Sequence, residues 1–220
     1  MFPRIPKITQ ALMIANVVVF LLQQVLGDEA LDSMKLWSMG PNGFDLFSAG
    51  YEFKPWQLLT YGFMHGSFTH LLFNMLALYM FGAPLEYTWG DRRFLTYFLV
   101  CLVGAGVLQL LVGWWTVSHG GQPYPTVGAS GGVFGLLLAY GMLFPNQRVM
   151  LLFPPIPMKA RTLVIVYGAV ELMLGFTGWQ PGVAHFAHLG GMLFGWLLIR
   201  YWRGQSPFNK RRPPGPRIVR

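Results

Sequence analysis

Apolar residues fill long runs along this chain from which Lys, Arg, Asp and Glu are almost absent. Six such runs stand out: Ile8 to Leu26, Ser67 to Leu85, Phe94 to Trp115, Val127 to Phe144, Thr162 to Trp179 and Gly182 to Ile199, with Glu171 the one charged side chain inside them. A helix needs roughly 20 apolar residues to cross a hydrocarbon core about 30 Å thick, so each run is close to a full crossing. The pattern predicts an all-α membrane protein, a bundle of six transmembrane helices occupying residues 8–203. Residues 1–7 form a short leading tail, 28–66 a long loop, and 204–220 a polar tail. The first run is longer than a signal-peptide core and no small-residue cleavage site follows it, so it reads as a retained span.

Composition agrees. Hydrophobic residues make up 54% of the 220 and charged residues 11%, less than half the roughly 25% charged content of a soluble domain. A soluble globule is excluded. Cys101 is the only cysteine, which excludes an internal disulfide. The net charge of +8 does not point to nucleic acid, because the basic residues flank the apolar runs and form no basic domain of their own.

Those basic residues set an orientation, since Lys and Arg near span ends stay on the cytoplasmic side. With both termini inside, one face holds Arg4, Lys7, Arg92, Arg93, Arg148, Lys159, Arg161, Arg200, Arg203 and the tail residues Lys210, Arg211, Arg212, Arg217 and Arg220, 14 of the 16 basic residues. The other face keeps Lys35 and Lys54 with Asp28, Glu29, Asp32, Asp45 and Glu52. The outer loop 28–66 carries Trp37, Phe44, Phe47, Tyr51, Phe53 and Trp56, rings that favour the membrane interface. The tail, rich in Pro, Lys and Arg, is expected to lack a packed fold and to serve as a topology anchor, the alternative being an electrostatic contact with anionic lipid.

Polar groups at membrane depth are costly and face the bundle interior or a wet cavity. They gather on spans two, four and six, all of which start outside. Span two opens with His65, His70 and Asn74, the last two on one helical face; span six carries His185 and His188, also on one face. Span four opens with Gly128, Ala129, Ser130 and Gly131 and is stopped by Pro145. Fifteen helical residues from Ser130 cover about 22 Å, less than the core thickness, so Ser130 is expected below the outer surface at a helix start. Non-helical backbone at that depth requires burial or a water-filled cavity. The helix-start amides also favour negative charge developing there. Gly131 and Gly135 on span four, and Gly191 and Gly195 on span six, form small-residue faces that let the two helices approach closely. That approach brings Ser130 toward His188, a nucleophile beside the usual base. No acidic residue is near His188 in sequence, so the pair reads as a dyad without a carboxylate, with His70 and Asn74 placed to stabilise an oxyanion.

Together, His70-Leu71-Leu72-Phe73-Asn74, the spaced Gly82, Glu86 and Gly90, Gly128-Ala129-Ser130-Gly131, and Ala187-His188-Leu189-Gly190-Gly191 with Gly195 resemble the rhomboid family of intramembrane serine proteases. The resemblance spans nearly the whole six-helix core. It implies Ser130 as nucleophile, His188 as general base, an oxyanion hole of His70, Asn74 and the Ser130 amide, and structural roles for Glu86 and the first loop. No cofactor or metal is implied. The substrates would be single-span or polytopic membrane proteins, met in a cavity open to the outer face, and small size, the lack of a transit peptide and the family's distribution suggest a bacterial inner membrane. Two positions depart from the family pattern. Gln57 follows Trp56 where relatives carry arginine, and Phe134 stands where relatives place a tyrosine against the histidine ring. His185 is expected to bond nearby loop backbone, and Glu171 to make a structural or gating hydrogen bond. Three rival classes remain: a metal or haem protein using His65, His70, His185 and His188, a non-catalytic membrane-protein binder, and a transporter. The first leaves the serine segment unexplained and lacks the His-Glu-x-x-His pattern; the second conflicts with the presence of both serine and histidine; the third lacks a repeat or a charged midplane pair.

Overall fold

The computed structural model describes residues 4–40, 53–150, 156–179 and 182–205. The aromatic residues Phe44, Phe47 and Tyr51 of the loop and the basic tail from residue 206 onward lie outside these, as do residues 1–3. Each apolar run coincides with a helix: α1 Lys7–Leu26, α2 Phe68–Trp89, α3 Asp91–Ser118, α4 Ser130–Leu143, α5 Ala160–Thr177 and α6 His185–Trp202. Among the described residues, α1, α2, α3 and α5 are each long and apolar enough to cross a membrane, while α4 is a shorter apolar helix. The six-span expectation thus meets four such helices, a short α4, and α6, which carries two buried histidines.

The surface differs from that of a soluble protein, and several polar side chains lie inside. Large apolar side chains such as Leu21, Val25, Trp115, Ile165 and Phe176 are exposed, whereas Asn16, Gln23, Gln109 and Glu171 are buried. This is the arrangement a lipid solvent selects, because hydrocarbon favours apolar groups and polar ones satisfy each other inside. At the centre, α6 packs along α3 and α4 around Phe94, Tyr97, Phe98, Leu102 and Leu136, all fully buried. Gly191 makes this possible: a Cβ there would strike the carbonyl of Gly131 on α4, and one at Gly195 would strike the Tyr97 hydroxyl. The two glycine faces therefore meet at backbone distance, as small-residue membrane helices do.

Two features depart from a plain bundle. α2 is not one continuous α-helix: a π turn over Leu78–Gly82 interrupts it and Ala83–Trp89 resumes. The loops also contain strands that the all-α expectation omits. β1 Leu36–Trp37 pairs antiparallel with β2 Pro125–Thr126, and β3 Arg148–Met150 with β4 Pro157–Lys159. The first pair ties the long loop to the segment entering α4. That loop is folded rather than a tether. Gln57, buried, accepts hydrogen bonds from the Trp37 and Lys54 amides through Oε1 and donates through Nε2 to the Ser33 carbonyl. Lys35 pairs with Asp28 at 2.5 Å and Asp32 at 2.8 Å. Its hydrogen bond holds the Asp28 carboxyl below the usual range.

Glu86 accounts for the start of α1. Its carboxylate accepts from the amides of Ile8 at 2.8 Å and Thr9 at 2.7 Å and from the Thr9 hydroxyl at 2.7 Å. The first amides of a helix have no internal acceptor, so a carboxylate from α2 serves as a remote cap that also suits the helix dipole.

Candidate active site

The approach to α4 determines where Ser130 sits. Gly128 adopts φ 126°, a backbone region that L side chains avoid, and its amide donates to the Tyr61 carbonyl at 2.9 Å. A Cβ at Gly128 would lie 2.8 Å from His70 Nε2 and 3.6 Å from Ser130 Oγ. The imidazole of His70 thus lies over the glycine and beside the serine, an approach that only glycine permits. α4 then starts at Ser130 and runs for 14 residues, about 21 Å at the helical rise.

Across the α4–α6 contact, His188 Nε2 lies 2.8 Å from Ser130 Oγ. Phe134, one turn after the serine, stacks on the His188 ring with centroids 4.2 Å apart and planes 5° from parallel. An aromatic ring at this position packs against the histidine without a hydroxyl. On the far side of His188, Nδ1 lies 2.9 Å from Glu171 Oε2. His185 Nδ1 lies 2.7 Å from the same oxygen.

These last contacts correct two expectations. His188 is not without a carboxylate: Glu171, 17 residues earlier on α5, reaches it. His185 bonds that carboxylate rather than loop backbone. The sequence carried a signal for both, since an acidic group inside a span needs a partner, but the reversal between α5 and α6 that brings the partners together is a tertiary feature.

Asn74 is buried near His70 on α2, and its Nδ2 donates to the His70 carbonyl at 2.9 Å. One N–H of its amide is committed to the helix and one is left. His70 and His65 contact edge to face with centroids 5.0 Å apart. His65 is therefore grouped with His70, apart from the pair on α6. The ligand atoms of Glu171, His185 and His188 lie within 4.8 Å of one another, close enough to suggest a metal site. Their nitrogen–oxygen contacts of 2.7 and 2.9 Å are hydrogen-bond lengths. Two ligands of a tetrahedral zinc with bonds near 2.0–2.1 Å stand about 3.3 Å apart. The cluster fits proton sharing better than a bridging ion.

Ser130, His188, His70 and Asn74 line one cavity of about 1290 Å³, bounded by α2, α3, α4, α5 and α6. Small-molecule pockets span roughly 300–1,000 Å³, so this space exceeds what a compact ligand fills. Its walls also include Phe73, Ala77, Leu163 and Tyr167, so an apolar trough leads to a polar serine–histidine centre.

Fold and surface define an integral, multi-pass membrane protein with a serine and a histidine in hydrogen-bond contact inside the helix bundle. The model of the Rhomboid domain matches residues 52–204. RHOMBOID-like protein 4 of Arabidopsis thaliana is 35% identical over 188 residues, covering 83% of this chain and 43% of that protein. The Putative rhomboid protease YdcA of Bacillus subtilis (strain 168) is 30% identical over 168 residues, 76% of this chain and 75% of that protein. Rhomboid protease GluP of the same organism is 27% identical over 192 residues, 87% of this chain and 34% of that protein. The chain spans less than half the length of the first and third of these relatives. This chain belongs to the rhomboid family.

Proposed function

We propose that this protein is an intramembrane serine endopeptidase that hydrolyses peptide bonds in or near transmembrane segments of membrane proteins. The 2.8 Å contact between Ser130 Oγ and His188 Nε2 at the cavity carries the reading, and relatives named rhomboid protease support it. In the reaction, the Ser130 hydroxyl proton moves to His188 Nε2 as the Oγ–carbon bond forms and the carbonyl π pair shifts onto oxygen. The oxyanion is met by the Ser130 amide at the start of α4, His70 and Asn74. Collapse breaks the carbon–nitrogen bond and His188 gives the proton to the departing amine. Water then adds to the acyl-serine, its proton going to His188. Collapse returns that proton to Ser130 and releases the carboxylic acid product.

In this reading the chain crosses the membrane six times over residues 8–203 with both termini in the cytoplasm. The cavity opens to the outer face, and the basic tail contacts anionic lipid. A bacterial inner membrane is the proposed location. Incubating the purified full-length protein with a single-span model substrate tests the activity. A cut is expected from the wild type and none from Ser130→Ala, with the thermal midpoint of the variant unchanged because the serine hydroxyl bonds only His188 among the described residues. Cleavage by Ser130→Ala at the wild-type rate refutes the reading.

A further inference from the structure

We propose that Glu171 is a positioning carboxylate that fixes His188 as proton acceptor for Ser130, and that His185 holds Glu171 in place. The proposal rests on the serine-peptidase reading above and departs from a two-residue dyad.

The chemistry of the donors sets the arrangement. A carboxylate only accepts hydrogen bonds, so both imidazoles that contact Glu171 Oε2 must donate from Nδ1. A neutral imidazole carries one N–H. His188 with its proton on Nδ1 therefore presents a lone pair at Nε2, the atom 2.8 Å from Ser130 Oγ. That is the tautomer a general base needs, and the opposite tautomer could not take the serine proton. When His188 accepts the proton, Glu171 faces the resulting imidazolium at 2.9 Å. The stacked Phe134 ring restrains the imidazole on its face, so the base is held at both an edge and a face.

His185 is the second half of the device. Its ring stands at 90° to that of His188. Its Nε2 is buried without a hydrogen-bond partner among the described residues, so the polar contact of this ring is the one to Glu171. A single hydrogen bond would leave the carboxylate free to swing about its long side chain. Two donors on one oxygen, from consecutive turns of α6, restrain it from different directions. The arrangement also explains why an acidic side chain is kept in a span where burial of a charge is unfavourable: its Oε2 accepts two imidazole N–H hydrogen bonds.

The test uses the full-length protein in lipid vesicles with the single-span substrate, measuring kcat, KM and the thermal midpoint. Glu171→Gln keeps the shape, but its amide cannot act as a charged acceptor for two imidazole N–H groups. The expected result is a fall in kcat of about 10²-fold or more, with KM and thermal midpoint near wild type, as when a serine triad loses its acid. Glu171→Asp, which keeps the charge on a shorter arm, should recover part of the loss. A kcat within about threefold of wild type, or a loss confined to KM, overturns the proposal. If Glu171→Gln does not fold, Glu171→Leu, apolar and suited to a membrane helix, carries the same expectation and the same refutation. Failure of this proposal leaves Ser130→Ala inactive and Glu171→Gln active. Failure of the peptidase reading leaves Ser130→Ala active.

Discussion

His70 and Asn74 sit one turn apart on α2 and line the same cavity, yet they are not equally free to meet an oxyanion. Asn74 already donates to the His70 carbonyl, whereas the His70 ring lies over Gly128 beside the serine. We expect His70→Ala and Asn74→Ala each to lower kcat by roughly 10²- to 10³-fold or somewhat less, with His70 the larger loss and KM little changed. Weakened KM with unchanged kcat would assign these residues to substrate holding instead. At this scale the sequence was informative where chemistry is local. Ser130 follows Gly128 and Ala129 at a helix start, and His185 and His188 share a face, so local pattern was enough to make them candidates. The bond from Glu171 to His188 was not legible, because it depends on how α5 is rotated against α6. The same residue was nonetheless conspicuous as the one charge inside the apolar runs.

The close approach of α4 and α6 sets the serine–histidine distance, and glycine governs that approach. A Cβ at Gly191 meets the Gly131 carbonyl, whereas one at Gly168 on α5 meets only the end of the Met192 side chain, at 3.5 Å and beyond, an ordinary contact. Gly191→Ala should therefore cost about 1–3 kcal/mol through overpacking and reduce cleavage with it, while Gly168→Ala should be near neutral. Thermal unfolding of the two variants side by side checks this; equal midpoints would contradict the packing account. The helices themselves were readable from hydrophobic run length, and the short α4 from Pro145 and the glycines before Ser130. The π turn in α2 was not, since Leu78–Gly82 has the same apolar character as the helix around it. Nor were the strands, because two- and three-residue pairings such as β1 with β2 carry no periodic signal and form only when distant loops are brought together.

On the scale of the whole molecule, lipid-facing apolar residues surround an apolar core that carries a few buried polar side chains, and the cavity among α2, α3, α4, α5 and α6 brings an apolar trough to the reactive pair. The low charge content foretold the membrane environment. The folding of the long loop onto the bundle was only partly legible: its aromatic content suggested interface packing, but the hub at Gln57 rests on backbone partners no pattern reveals. The central claim is that Ser130 is an activated nucleophile inside this bundle, and a fluorophosphonate probe tests it most directly. With the full-length protein in lipid vesicles, intact-mass measurement should show one adduct, mapped to Ser130, unaffected by a chelator and lost in His188→Ala. An unlabelled Ser130 in protein that cleaves substrate, or cleavage abolished by a chelator and restored by zinc, would contradict the account.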